Sequence, residues 1–486
     1  MRHRISSLAC SSARSARHSL SYWQYWVLVD PCEAHQPLIS HFDTTHKISK
    51  MAAYVCVRGA MMIPTLLFLL HVISAAKAQQ SCSSTVDLSP TYFDEADDYN
   101  ANQDSAKLLD LVQSDATGND KVYSYVVLEN GQKIAEYYNE FLNATVDTTH
   151  DVYSITKSWT GLLFGIMLDQ GHVSLDQKVG DIWSYPDHEV WSSVDNDGPE
   201  IKDITVDQLL SMTSGFDDGS LDEIDFANVG GADLAGVLNY VVHTGQQNEG
   251  KFNYLGFANI LGYIVQEVTG KTPVEYAQEH IFPFLGMEEG TYDWASNTDQ
   301  ASYTRNGLSL TATHMTKWAQ LYLQNGQASP SSEMVSKEWI DTSKAKSVQV
   351  TDINTYVYQA MLGGTPDNGS DLFYGKMLWN FVDGKHCGFG AGGSFMCFWP
   401  EKCRAAAIQM NLFSEAGTAS NGILAHKFLS LVGGKDFSEA DYTIDASGNE
   451  PAAEEDAPTS GAKDDKNGHT RTGLMAFSIA TTALFL

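Results

Sequence analysis

The sequence predicts an α+β fold: an antiparallel sheet with flanking helices plus an inserted, mostly helical region. Three observations predict it. Strand-like runs lie toward both ends of the central part of the chain, helical patterns occupy the stretch between them, and one more helical pattern closes the series. With 486 residues, 43% of them hydrophobic and 11% aromatic, the chain can bury a large core.

The first element is a hairpin. In VYSYVVLENGQKIAEYYNE (residues 122–140) two β-rich runs flank Asn130-Gly131, a pair suited to the positive φ angles of a two-residue turn. The pattern then becomes helical. Residues 154–170 carry no charge from Ser158 to Leu168, which predicts a buried helix with Lys157 at its entrance. Shorter helical patterns follow at 205–210 and 255–267, the second ahead of Thr269-Gly270. A further helix at 311–324 precedes Asn325-Gly326, where an Asn or Gly cap is expected. Residues 377–411 read as strands separated by glycines, and 423–431 as the closing helix. No internal repeat is visible.

Acidic residues outnumber basic ones 60 to 30, for a net charge of −30. A polyanion repels the phosphate backbone that dominates nucleic-acid affinity, which argues against nucleic acid as a partner. The charge reads as a solvated acidic surface in an extracellular or saline setting.

Both ends carry address-like segments. Residues 51–78, MAAYVCVRGAMMIPTLLFLLHVISAAKA, place Arg58 ahead of an apolar run and end in Ala76-Lys77-Ala78, a small-x-small cleavage site. This reads as a secretory signal, with translation starting at Met51 and the mature chain at Gln79; an N-terminal extension with a signal anchor is the alternative. The apolar end GLMAFSIATTALFL (473–486) is too short to span a hydrocarbon core of roughly 30 Å. Preceded by the small triplet Ser460-Gly461-Ala462 and a polar spacer, it matches a glycosylphosphatidylinositol (GPI) attachment signal. Ser460 is the expected attachment point and Asn467-Gly468 a second candidate. The expected organisation is thus residues 1–78 as extension and signal, 79–106 as the start of the mature chain, 107–435 as the folded domain, 436–472 as an acidic linker and 473–486 as the C-terminal signal. The expected location is the secretory pathway and cell surface.

Cysteine usage agrees with export. Cys10, Cys32 and Cys56 precede the predicted cleavage, leaving Cys82, Cys387, Cys397 and Cys403, an even number that favours disulfides in an oxidising compartment. Cys397 and Cys403 flank FWPEK, where Pro400 suggests a turn between two strands; pairing across it would leave Cys82 with Cys387, and all three pairings stay open. No C-x2-C pair is present, so no metal site is expected. Asn143-Ala144-Thr145 and Asn368-Gly369-Ser370 are glycosylation sequons.

The chemistry centres on DVYSITKSWTG (residues 151–161). Ser154 and Lys157 are three apart, so at the start of a helix both emerge on one face. A serine alcohol needs a neighbour to take its proton, and burial at the head of an apolar helix would fit a lysine for that task by disfavouring its charged form. The helix dipole also favours an oxyanion beside the Ser154 N–H.

The stretch VYSITKSWTGLLFGIMLDQGHVSLDQKVGDIW resembles the nucleophile helix of the serine β-lactamase and penicillin-binding-protein superfamily, in particular its class C-like branch of esterases, D-amino-acid peptidases and 6-aminohexanoate-dimer hydrolases. ITVDQLLSMTSGF, IFPFLGM and GLSLTATHMTKWAQLYLQNG are similar to further segments of that branch, in the same order. The resemblance runs over about residues 107–431 and implies a β-lactamase/transpeptidase-like fold. It also implies a catalytic tyrosine, at Tyr254 of FNYLGFANILGYIVQEVTG, although Leu255-Gly256 replaces the polar partner of the family's Y-x-N or Y-x-S; Asn253 and Asn259 are polar alternatives nearby. The third family element maps to Gly388-Phe389-Gly390-Ala391, with the Ala391 N–H as second oxyanion donor, and Gly390, Gly392 and Gly393 near the substrate; His386-Cys387-Gly388 is a shifted register. The lysine that holds a substrate carboxylate in penicillin-active relatives is missing there.

The resemblance therefore implies a serine hydrolase of esters or amides that works through an acyl-enzyme on Ser154, without a cofactor, on a small-molecule substrate. A catalytically inactive surface binding protein on the same fold, and a β-lactamase or D,D-peptidase, are the competing expectations.

Overall fold

The computed structural model of the chain describes residues 82, 85–99, 102–114, 120–194, 201–215, 233–238, 250–254, 259–296, 303–350, 372–411 and 417–434. Contacts divide the chain into two units, Met1–Val72 and Ile73–Leu486, and all described residues belong to the second. The signal-like segment 51–78, the acidic linker, the apolar end, Leu255-Gly256, Asn368, Ser460 and Asn467-Gly468 lie outside the described residues.

After helix α1 (Gln103–Ser114), the predicted hairpin forms as β1 (Val122–Glu129) and β2 (Gln132–Tyr138). Asn130 at φ 53° and Gly131 at φ 80° supply the left-handed turn that the Asn-Gly pair foretells. Strand β3 (His150–Asp151) leads into α2 (Thr156–Asp169), which is followed by α3 (Val179–Ile182) and α4 (Val206–Leu210). Thr205 caps α4 in a reciprocal box with Gln208, its N–H reaching Oε1 at 2.9 Å. Next come α5 (Ile260–Thr269), ended by Gly270 in the left-handed region, and α6 (Pro273–His280). The short strands β4 (Asp293–Trp294) and β5 (Leu308–Leu310) precede α7 (Ala312–Leu323), whose N-cap Thr311 accepts from the His314 N–H. The cap residue of α7 is Gln324, and the expected left-handed position falls on Asn325. Then follow β6 (Gln327–Ser329), β7 (Ser332–Glu333), α8 (Lys337–Lys344), β8 (Val348–Gln349), β9 (Leu372–Tyr374), β10 (Trp379–Phe381), β11 (His386–Gly390), β12 (Ser394–Trp399), β13 (Arg404–Met410) and α9 (Gly417–Val432). The closing helix starts earlier than its apolar pattern, at Gly417.

Eight strands form one antiparallel sheet in the order β2-β1-β13-β12-β11-β10-β9-β8. The first hairpin lies against the last strand, Val126 opposite Ala407, so strands from distant ends of the sequence meet in one sheet. α7 covers one face, with Trp318 and Tyr322 on Phe398; α9 covers the other, with Phe428 on Tyr125 and His426 on Phe395. α2 is buried from Thr156 to Met167, consistent with its charge-free sequence. At Gly165 a side chain would collide with the Trp339 indole, so the glycine sets how closely α8 approaches.

The disulfides correct the sequence reading. Cys387 pairs with Cys397 and Cys82 with Cys403, rather than Cys397 with Cys403. Register is the reason: Cys387 and Cys397 stand directly opposite on β11 and β12, 4.2 Å apart at Cα. Cys403, left-handed after the 3₁₀ turn Pro400–Lys402, instead meets Cys82 from the start of the domain. Among the described residues no helix is long and apolar enough to cross a membrane.

Candidate active site

Ser154 does not sit inside α2 but in a 3₁₀ turn, Tyr153–Ile155, wedged between β3 and the helix. Tyr153 takes φ 48°, unusual for a bulky side chain, and neighbouring groups hold it there. Its N–H donates to Asp151 Oδ1 at 2.7 Å, and its carbonyl accepts from the Thr156 hydroxyl at 2.6 Å. The Thr156 hydroxyl in turn accepts from the Leu308 N–H. The strained turn thus presents Ser154 at the positive, buried end of α2.

Lys157, 1% exposed, points back to the serine: its Nζ lies 2.9 Å from Ser154 Oγ and 3.0 Å from the Arg305 carbonyl. Thr160, one turn further on, donates to the Thr304 carbonyl, so the segment before β5 runs along α2 and fixes the lysine. Tyr254 completes the cluster. Lys157 Nζ stands 4.9 Å from its ring centroid. The ring is half-buried, but the hydroxyl oxygen is buried and makes no well-formed hydrogen bond among the described residues. Burial raises the phenol to about 12, opposed by the Ser154 hydroxyl, the Arg305 charge and the Trp379 side chain, all of which favour the phenolate. A local pair, Ser154 and Lys157, and a tyrosine 100 positions after the serine therefore converge on one point. Of the polar alternatives, Asn253 donates its backbone N–H to the Met212 carbonyl and Asn259 stands at the head of α5.

β11 closes the site from the sheet side. A Cβ at Gly390 would collide with the Val152 carbonyl, and one at Gly388 would come within 2.9 Å of Ser158 Oγ. Only glycine lets this strand pass so close to the turn that carries Ser154. Ala391 follows directly in a 3₁₀ turn with Gly392 and Gly393, at φ 80° and 93°, which returns the chain into β12. His386 stands four residues earlier on β11 and is packed rather than presented: its ring stacks on Phe398 and its Nδ1 lies 2.6 Å from Asn380 Oδ1. Burial lowers it to about 3. Among the described residues no group of three His, Cys, Asp or Glu side chains is gathered to hold a metal.

The sequence reading missed four neighbours of Tyr254. Arg305, 7% exposed, brings a cation and the carbonyl that anchors Lys157; its signal is a lone basic residue just before the GLSLTA motif. Phe252, Tyr374 and Trp379 form the aromatic bed of Tyr254, and each reads from sequence as an ordinary core residue.

A family model described as Beta-lactamase matches residues 118–428, more than half of the chain. The chain belongs to the Beta-lactamase family. Over 230 residues it is 24% identical to the 6-aminohexanoate-dimer hydrolase of Paenarthrobacter ureafaciens, a match covering 45% of this chain and 56% of that protein, little more than half the relative's length. Two solved structures share the fold. A penicillin-binding protein homologue from Caulobacter crescentus superposes with a TM-score of 0.52 at 15% identity, covering 68% of this Beta-lactamase-family chain and 98% of the other. EstCE1, a hydrolase with promiscuous acyltransferase activity, gives 0.51 at 13% identity, covering 68% and 99%.

Proposed function

We propose that this Beta-lactamase-family chain is an exported serine hydrolase that cleaves an ester or amide of a small molecule through an acyl-enzyme on Ser154. The observation that carries the reading is Lys157 Nζ at 2.9 Å from Ser154 Oγ, at a helix N-terminus and under the Tyr254 ring. Ser154 Oγ attacks the carbonyl carbon while its proton passes to Lys157 Nζ, which must enter the step as the neutral amine, with the Tyr254 hydroxyl beside it as proton carrier. The backbone N–H groups of Ser154 and Ala391 bind the tetrahedral oxyanion, and Lys157 with Tyr254 returns the proton to the leaving alkoxide or amine. Water then attacks the acyl-enzyme by the reverse path, and no cofactor takes part.

The ester or amide class is favoured over β-lactams because Gly388–Ala391 carries no side-chain cation to hold a substrate carboxylate. The likeness to a protein named 6-aminohexanoate-dimer hydrolase supports a hydrolase reading. Export is supported by residues 51–78 and by the four paired cysteines, and a GPI anchor at Ser460 by the end of the chain. Asn143 is exposed in a left-handed turn position and is open to glycosylation.

A fluorophosphonate probe should label the protein at Ser154, and short-chain p-nitrophenyl esters should be turned over by the wild type but not by Ser154→Ala. A folded protein that is neither labelled nor active would establish the binding-module alternative, and cephalosporin turnover far above ester turnover would establish the β-lactamase one.

A further inference from the structure

Tyr254 is the weakest point of the expected constellation by sequence, because Leu255-Gly256 stands where relatives place a polar partner. Its own backbone lies in a turn, not in a helix or strand. A phenol that must move a proton to and from Ser154 needs its ring fixed, since a misplacement of about 1 Å can cost on the order of a hundredfold in rate.

The sheet provides the support. Phe252, Tyr254, Tyr374 and Trp379 form a closed quartet in which every pair of rings is in contact, with centroids 4.8 to 6.3 Å apart. The shortest contact of Tyr254 within it is to Trp379, at 5.0 Å and 42°. Trp379 is itself 2% exposed and held on both sides: its backbone pairs with Tyr374 of β9 and with Cys387 of β11, and Cys387 is bonded to Cys397 of β12. Tyr374 meets it edge-on at 4.8 Å and 79°. The Tyr254 ring is thus flanked by Lys157 Nζ at 4.9 Å and by an indole rooted in the sheet.

We infer that Trp379 is the positioning residue for Tyr254, holding its ring from β10. The inference rests on the hydrolase reading for its kinetic consequence but not for its geometry. The Trp379 side chain also favours the phenolate form, a second effect of the same contact.

Trp379→Phe keeps an aromatic ring and loses the indole N–H; Trp379→Leu removes the ring. On a p-nitrophenyl ester, kcat should fall roughly tenfold in Trp379→Phe and roughly a hundredfold in Trp379→Leu, with KM within about threefold of wild type. In protein labelled with 3-fluorotyrosine, the Tyr254 resonance, identified by its loss in Tyr254→Phe, should shift in both variants while the thermal transition remains cooperative. A Tyr254 resonance that stays in place in either folded variant overturns the inference, whether or not the protein is active. So does unchanged kcat in an active protein. Failure of the hydrolase reading is read separately, as absence of Ser154 labelling in the wild type.

Discussion

One methyl group at Gly390 would push the β11 backbone against the carbonyl of Val152, two residues before Ser154. Neither partner is a flexible side-chain end, so the strand or the Ser154 turn must move. Gly384, in the β10–β11 connection, is the useful contrast: it sits at φ 84° with open space around the missing Cβ. Gly384→Ala should cost about 1 kcal/mol of left-handed strain and leave Ser154 labelling at the wild-type rate. Gly390→Ala should lower the fluorophosphonate labelling rate at least about tenfold, because the clash displaces the groups around the serine. Equal labelling rates for the two variants in a stopped-time gel assay would show that β11 does not set the geometry of Ser154. The residues of this site differ in how far they could be read beforehand. Ser154 and Lys157 are local, three positions apart, and the 3₁₀ turn that runs into α2 brings them together. Arg305 and Trp379 act through tertiary contacts whose sequence distance to Ser154 carries no pattern, so nothing in their neighbourhoods announces them.

The same division between local and long-range signals holds for the elements. The β1–β2 hairpin was legible because Asn130-Gly131 specifies its own turn, and α2 because eleven uncharged residues in a row can be placed only in a core. The order of strands in the sheet and the cysteine partners were not, since both depend on which strands lie side by side. Turn proximity suggested Cys397 with Cys403, yet strand register delivers Cys387 with Cys397. The two bridges should also differ in weight. Cys82–Cys403 spans 321 positions and Cys387–Cys397 spans 10, which in the chain-entropy view correspond to roughly 6 and roughly 3 kcal/mol of restricted unfolded chain. Cys82→Ser with Cys403→Ser should therefore lower the thermal midpoint more than Cys387→Ser with Cys397→Ser. The second pair should instead slow Ser154 labelling, because its bridge braces β11 and, through the register, Trp379. Non-reducing peptide mapping checks the pairing, and a larger midpoint loss from the short bridge would refute the ranking.

At the scale of the whole molecule, stability should depend on pH through buried bases rather than through the acidic surface. His314 and His386 are lowered to about 3 and His150 to about 4, all chiefly by burial. Their folded values lie below the ordinary 6.5, so the unfolded chain takes up protons first. Their contribution is complete above pH 6.5 and is lost as pH falls from there toward 4, by up to about 4 kcal/mol per pH unit if all three act in full. Lys317 works in the same sense at higher pH. Buried in α7, it donates to the carbonyls of Pro90 and Leu285, tying the start of the domain to the core, and burial lowers it to about 8. Between about pH 8 and 10 the unfolded chain again binds the extra proton, so stability should still climb there. Above pH 10 the buried tyrosines, raised by burial, reverse the slope. Urea unfolding from pH 4.5 to 10 should show a steep acid limb and a shallow rise above pH 8. His314→Leu should flatten the first and leave the second, while Lys317→Met should flatten the second and, by removing the charge that helps to lower His314, soften the first as well. The His314 Nδ1 is buried without a hydrogen-bond partner among the described residues, so its removal leaves no acceptor exposed and the change in slope reads the proton alone. A slope below pH 6.5 that is identical in wild type and His314→Leu would show that acid acts on this fold elsewhere.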